Sequence, residues 1–478
     1  MRGPRRIQRV NTHHPVTRRH FIFSSALAAG ALSINGCATP RGPRPVSANG
    51  KLDVGIIGCG GKGWTDMTEV AGTGENIVAL CDVDENALNN AAKKYPCAKL
   101  FRDYRKMLDE FKSLDAVTVS IPDHQHFPAA MRAMSRGLHV YVQKPLTHSI
   151  WEARQMAIAA HEHRVATQMG NQGTSGAWIR ETCELVWSGA IGDVTEVHVW
   201  TDRPIWPQGK DRPAGEDPVP KNLDWDLWLG PAPVRPFKQK YADENRDVYH
   251  PFCWRGWWDF GTGALGDIAC HSMNAPMWAL NLGAPTCAEL VESSEVKKES
   301  FPSWSILRWD FPARPAASAE SRIFAPGQAK VRTNGPGLLP AVKMFWYDGG
   351  KRPPVQPEME RREWDDNGTL YVGTKGKIYK GRLLPESVMK DFKRPDPTIP
   401  RVPNENHYQE WVNACKGGRP GCSNFDFAGP LTETVLLGNV ALRLGKKISW
   451  DAKHLRVPNC PEAATQIRGE YRKGWEPA

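Results

Sequence analysis

The stretch Val54-Gly55-Ile56-Ile57-Gly58-Cys59-Gly60-Gly61-Lys62-Gly63 carries an apolar strand straight into a glycine turn. A second apolar run, Ile77 to Leu80, ends at Asp82, nineteen residues beyond Gly63. Gly58, Gly60 and Gly63 fit the spacing G-x-G-x-x-G, and each has its own reason to be small. Gly58 permits the tight exit from the strand, Gly60 lets the backbone approach a pyrophosphate, and Gly63 lets the next helix lie close on the sheet. Gly61 sits in the same turn. Phosphates would rest at the helix N-terminus, where unpaired N–H groups and the helix dipole favour negative charge. A carboxylate at Asp82 would accept hydrogen bonds from an adenosine ribose and repel a 2′-phosphate, which favours NAD over NADP. A bare glycine motif also describes a strand–helix turn that binds nothing. The strand before, the helix after and the acid at this distance are what point to a dinucleotide.

Downstream, short β-branched runs alternate with helical stretches. The pattern predicts helices over 103–111, 125–136 and 150–163, and strands over 114–121, 139–142 and 165–169. Such alternation indicates a parallel, doubly wound sheet ending near Gln172. The second half changes character. Longer, more alternating runs at 194–202, 286–297, 303–311, 341–347 and 368–380 suggest one large, mostly antiparallel sheet. Helices are expected at 177–188, 265–280, 406–415 and 431–444, with Pro- and Trp-rich insertions at 203–258 and 312–340. The fold class is therefore α/β. An N-terminal Rossmann doubly wound parallel sheet spans 52–172, a C-terminal α+β domain spans 173–450, and 451–478 reads as a tail.

The first 37 residues stand apart. Residues 1–20 hold six arginines and no acid, and the apolar stretch Phe21 to Ile34 that follows is too short to span a bilayer. Thr17-Arg18-Arg19-His20-Phe21-Ile22 resembles a twin-arginine export signal. Ser33-Ile34-Asn35-Gly36-Cys37 resembles a degenerate lipoprotein processing site, which makes Cys37 a candidate lipid anchor. An uncleaved membrane anchor is the alternative. Residues 38–51, rich in Pro, Gly, Arg and Ser, read as a disordered tether. Export to the periplasm is the expectation, with a membrane tether if Cys37 is acylated.

The formal net charge is +10, and removing the leader's six arginines leaves about +4. That modest charge, with no Lys/Arg block, argues against a nucleic-acid partner. Eleven cysteines are scattered without C-x-x-C pairs or histidine partners at zinc spacing. No metal site is expected, and buried thiols are a better reading than a disulfide frame.

Two turns should face the nicotinamide half of the dinucleotide, because ligands of open α/β sheets bind at the carboxyl ends of the strands. They are Ile121-Pro122-Asp123-His124-Gln125-His126 and Gln143-Lys144-Pro145-Leu146. Lys144, held by a turn beside a cofactor cation, would be a usable proton donor or relay. Read alone it is a solvent-facing lysine. In Gly266-Asp267-Ile268-Ala269-Cys270-His271 the i, i+4 spacing sets Asp267 and His271 on one helix face. There a carboxylate can orient the imidazole as an acid–base pair, although a surface ion pair has the same spacing. Trp225, Trp228, Trp254, Trp257 and Trp258 precede that helix. They suit stacking on pyranose faces, and equally a core or a dimer interface. Arg255 and Asp259 are candidate sugar contacts.

Together these motifs resemble the Gfo/Idh/MocA oxidoreductase family, from Leu52 to about Trp450. The resemblance implies a catalytic Lys144 that polarises the substrate oxygen, with His271 as general base and Asp267 fixing its imidazole. It places Gly58, Gly60, Gly61, Gly63, Asp82, Pro122, His126, Lys144, Asn171 and Gln172 around NAD. Lys144, Arg255, Trp257, Asp267 and His271 would surround a carbohydrate. The family's motif reads Glu-Lys-Pro where this chain has Gln143-Lys144-Pro145, which loses a charge that would tune the lysine. The implied reaction oxidises a hydroxyl of a sugar, glycoside or polyol, with hydride passing to tightly bound NAD, in a homodimer or homotetramer. An exported enzyme meets no soluble NAD pool. The alternative is therefore a redox-neutral glycoside hydrolase working through a 3-keto intermediate, resembling the NAD-dependent α-N-acetylgalactosaminidases of this fold. A non-catalytic sugar-binding homologue is the third reading, which Gln143 permits.

Overall fold

The computed structural model describes residues 42–47, 49–242, 244–315, 338–360 and 362–476. The leader with Cys37, the start of the linker and most of the 312–340 insertion lie outside the described residues.

Strands β1 (Asp53–Ile57), β2 (Asn76–Cys81), β3 (Lys99–Phe101), β4 (Ala116–Val119), β5 (His139–Val142) and β6 (Thr167–Met169) form one parallel sheet, in the order β3-β2-β1-β4-β5-β6. Its central strands are short apolar runs because both faces are covered. The covering helices are α1 (Lys62–Gly72), α2 (Glu85–Lys94), α3 (Tyr104–Glu110), α4 (His126–Met134) and α5 (Ile150–His163). A capping box fixes the start of α5, with Ser149 Oγ accepting from the Glu152 N–H and Glu152 Oε2 accepting from the Ser149 N–H. Strand order reverses between β1 and β4, so their loops diverge and open a crevice at the carboxyl edge.

Helix α6 (Ala177–Trp187) leads into the second domain. It contains β7 (Val194–Trp200), α7 (Trp225–Leu229), α8 (Gly263–Ser272), α9 (Asn274–Ala279), β8 (Cys287–Ser293), β9 (Ser305–Phe311) and β10 (Val342–Tyr347). There follow β11 (Gly368–Gly373), β12 (Lys377–Tyr379), β13 (Arg382–Leu384), α10 (His407–Cys415), α11 (Phe425–Leu444) and β14 (Ile448–Ser449). The eight strands run β13-β12-β11-β7-β10-β9-β8-β14, antiparallel except where β7 pairs with β10. The long, almost wholly buried α11 packs on α5 of the first domain and on α8, β8 and β9 of the second. It is the beam that fixes α8 over the crevice.

The structure departs from the sequence expectations in four places. The run 368–380 is two strands, because Gly373 turns back and its N–H bonds the Gly376 carbonyl at 2.9 Å. The stretch 265–280 is two helices, since Pro276 has no N–H to give the Ser272 carbonyl. Part of the tether is docked rather than loose: Arg44 pairs bidentately with buried Asp115, both contacts at 2.7 Å. The tail packs too, with Tyr471 donating to Glu152 Oε1 at 2.6 Å and Trp475 buried against Tyr104. Among the described residues, no helix is long and apolar enough to cross a membrane and no cluster of donors could hold a metal.

Candidate active site

One cleft of about 660 Å³ follows the crevice from the end of β2 to α8. Gly58, Gly60, Gly61 and Lys62 form its floor, Asp82 and Asp84 one end, and Lys144, Asp267 and His271 the other. The floor is shaped for a close ligand. Gly58 has φ +91°, and a Cβ there would meet the Ser120 carbonyl oxygen at 2.3 Å. Gly61 has φ +51° and faces open space. Asp82 takes hydrogen bonds from the Cys59 N–H at 2.7 Å and the Asp84 N–H at 2.9 Å. Burial pushes its carboxyl up while those two amides oppose it, and its remaining lone pairs can accept ribose hydroxyls. An open backbone cradle, a helix start and an acid at the strand end fit a dinucleotide.

At the far end, Lys144 Nζ donates to Asp267 Oδ1 at 2.6 Å and to the Asp267 carbonyl at 2.7 Å. Arg255 Nε donates to the same Oδ1 at 2.9 Å. Its guanidinium lies 4.4 Å from the Phe252 ring centroid and 4.3 Å from that of Trp254. Burial raises the Asp267 carboxyl, but Lys144 and Arg255 outweigh it and hold the group well below the usual carboxylate range. His271 has no protein hydrogen-bond partner among the described residues. Burial, and then the Lys144 charge, push its imidazole down to about 3, so it is neutral and open to a ligand proton. Asp123, on the same wall, accepts from Thr262 Oγ1 at 2.7 Å. Burial pushes its carboxyl up to about 7 against the Thr262 bond and the Arg255 and Lys144 charges.

Several sequence-derived assignments need correction. Asp267 does not hold His271; both its cationic partners come from elsewhere, one of them 123 residues away. His126 is buried and braces two turns, with Nδ1 2.8 Å from the Pro145 carbonyl and Nε2 2.7 Å from that of Ile121. Asn171 is buried as well, donating to the Cys270 carbonyl and accepting from Ser423. Gly63 does not reach the cleft, and its place under α1 is taken up by strand–helix contact. Trp257 is core, with Nε1 bonded to the Val248 carbonyl at 2.7 Å, and Trp225 and Trp258 are packed likewise. Asp259 pairs with Arg235. Pro122, Gln172 and Arg255 do line the cleft, as do Trp228 and Trp254.

Sequence reasoning missed Asp123, quoted within a motif but given no role, and Asp66 on α1. Fully buried Asp66 accepts from Lys62 Nζ, Tyr408 OH, Ser120 Oγ and Gln143 Nε2 at 2.6, 2.7, 2.7 and 2.8 Å. Gln143 is therefore the donor a buried carboxylate requires. Gln143→Glu should lower unfolding stability by about 1–3 kcal/mol, because it removes that donor and opposes two acids. Denaturant melts of the single variant and of the double variant with Asp66→Asn test this. Full recovery in the double variant is expected, and none would disprove the pairing.

A family model described as an oxidoreductase family with an NAD-binding Rossmann fold matches residues 52–171, and its C-terminal α/β domain matches 179–308. The chain belongs to the Gfo/Idh/MocA oxidoreductase family, and the cofactor of its first domain is NAD. It is similar to an α-N-acetylgalactosaminidase of Shewanella oneidensis, 23% identical over 206 residues. That match covers 38% of this chain and 45% of the relative, so the chain spans less than half the length of such curated relatives. Among solved structures it is similar to the WlbA dehydrogenase of Bordetella pertussis in complex with NADH and UDP-GlcNAcA. There the TM-score is 0.54 and the identity 16%, over 84% of this chain and 99% of that one. It also resembles myo-inositol 2-dehydrogenase of Lactobacillus plantarum, at TM-score 0.50 and 15% identity over 84% and 100% of the two chains.

Proposed function

We propose that this oxidoreductase acts on a hydroxyl of a sugar, glycoside or polyol and keeps its NAD bound between turnovers. The observation that carries the reading is the meeting of Lys144 from one domain with Asp267 and His271 from the other at the far end of the dinucleotide cleft. NAD, when bound, supplies the hydride acceptor. Lys144 Nζ stands where it can donate to the substrate oxygen and stabilise negative charge as the hydroxyl proton departs. Asp267, itself fixed by Arg255, holds the lysine in place. The His271 imidazole is in the neutral state a proton acceptor needs, although a group near 3 is a weak store for that proton. Arg255, Trp228 and Trp254 offer a mixed polar and aromatic wall of the kind that suits a sugar ring.

A second reading is favoured by Asp123 and by the glycosidase named among the relatives. A carboxyl near 7 is matched to neutral pH, and a redox-neutral glycosidase needs a second proton-transfer group beside the oxidised carbon. In that cycle the ketone acidifies the neighbouring C–H, loss of that proton expels the aglycone, water adds and the ketone is reduced again. The leader supports export, and the family resemblance supports a homo-oligomer. The test is a panel of free sugars and aryl glycosides, followed by absorbance at 340 nm and product analysis. A 340 nm band with a keto-sugar is expected for the dehydrogenase, and free aglycone without net redox change for the glycosidase. No turnover and no band with any sugar would leave only the binding homologue.

A further inference from the structure

The end of the cleft beside Asp82 is not built by the Rossmann domain alone. Two distant segments close it. The first is the 203–258 insertion, on both sides of α7. Asn222 Nδ2 donates to Asp84 Oδ1 at 2.7 Å, and His250 Nε2 lies 3.2 Å from Asp84 Oδ2. Backbone bonds lace the same place: the Glu85 N–H donates to the Asn222 carbonyl at 2.8 Å, and the Asp224 N–H to that of Val83 at 3.0 Å. This loop follows Asp82 directly, so the strap holds the residues that would bind the ribose.

The second segment is the C-terminus. Arg472 Nε donates to the Gly230 carbonyl at 2.8 Å and its N–H to that of Pro231 at 2.9 Å, which anchors the tail to the insertion. Trp475 then lines the cleft with Tyr104, its centroid 3.9 Å from the Arg105 guanidinium carbon and 6.3 Å from the Tyr104 ring. Only 7% of Trp475 is exposed. The Arg105 guanidinium covers the indole and that of Arg472 lies 5.5 Å from its centroid, so Trp475 turns its remaining exposed edge to the adenosine end as an apolar wall.

We propose that Trp475 is a cofactor-contact residue and that the tail and the Asn222–His250 strap together enclose the adenosine half, so that NAD leaves only when they open. This deepens the resident-cofactor reading and rests on it. It assigns a binding role to residues on which the glycine motif is silent.

The experiment measures NADH release from the purified full chain by loss of protein-bound fluorescence after a chase with excess NAD. Trp475→Ala should accelerate release about tenfold or more, because it removes an apolar wall of the cleft and the ring on which Arg105 rests. Asn222→Ala should accelerate it as well, and Trp475→Phe should restore most of the slow release. Affinity for reduced nicotinamide mononucleotide, which lacks adenosine, should stay within about twofold of wild type in all three. Wild-type release rates in both alanine variants would overturn the proposal. So would an equal loss of mononucleotide affinity, which would mean that the whole cleft had been disturbed. Rapid release from the wild type would sink the resident-cofactor reading instead, and the ratio of variant to wild type would still decide the role of Trp475.

Discussion

Lys144→Ala should lower turnover by a factor of about 10²–10⁴ while leaving NAD affinity nearly unchanged. The expectation follows from where its ammonium points. Its two hydrogen bonds among the described residues are to Asp267, at 2.6 and 2.7 Å, at the end of the cleft opposite Asp82. Removing the side chain deletes a proton donor and leaves Asp267 paired with Arg255, so the site keeps a charge-compensated carboxylate. The measurement is single-turnover reduction of bound NAD at 340 nm, set beside an NAD titration by protein fluorescence. Unchanged turnover would remove Lys144 from the chemistry. A parallel fall in cofactor affinity would make it a binding residue.

The second large effect is expected at Gly63. A Cβ there would lie 2.1 Å from the Gly58 carbonyl oxygen and 2.7 Å from its carbon. These are backbone atoms, so no rotamer change relieves the clash, and α1 must lift from β1. Gly63→Ala should therefore cost about 3 kcal/mol or more, at the upper end of overpacking penalties, and abolish NAD retention. Gly61→Ala is the contrast. Nothing lies within 4 Å of that position, but φ is +51° and ψ −119°, outside the left-handed helical well, so the penalty is backbone strain of about 1–3 kcal/mol. Denaturant melts with cofactor content measured on the same samples compare the two. Equal penalties would show that the close strand–helix approach is unimportant.

Legibility from sequence tracked how local each determinant was. The strand His139–Val142 and helix Ile150–His163 coincide with expectation, because a fully buried apolar run and a Ser–Glu capping box are written within a few residues. Asp267 and His271 share a helix face as their spacing implied. What spacing could not give was the partner. The carboxylate's cations arrive from a turn in the other domain and from the residues ahead of α8, and no periodicity encodes that meeting. The tryptophans divide for a similar reason. Trp228 and Trp254 reach the cleft while Trp225, Trp257 and Trp258 pack inward, and only tertiary contacts sort them. The last residues looked like a tail because their few apolar side chains lack a period, yet Tyr471, Arg472 and Trp475 anchor them.

The buried carboxylate of Asp66 has a mechanical consequence. Its four donors come from the first turn of its own helix, the exit of β4, the turn that carries Lys144 and helix α10. Shifting any one of these relative to the others would leave a buried charge short of a donor, which ties them together as one plate. The floor of the cleft, from the phosphate cradle to the Lys144 turn, is thereby keyed to one buried charge.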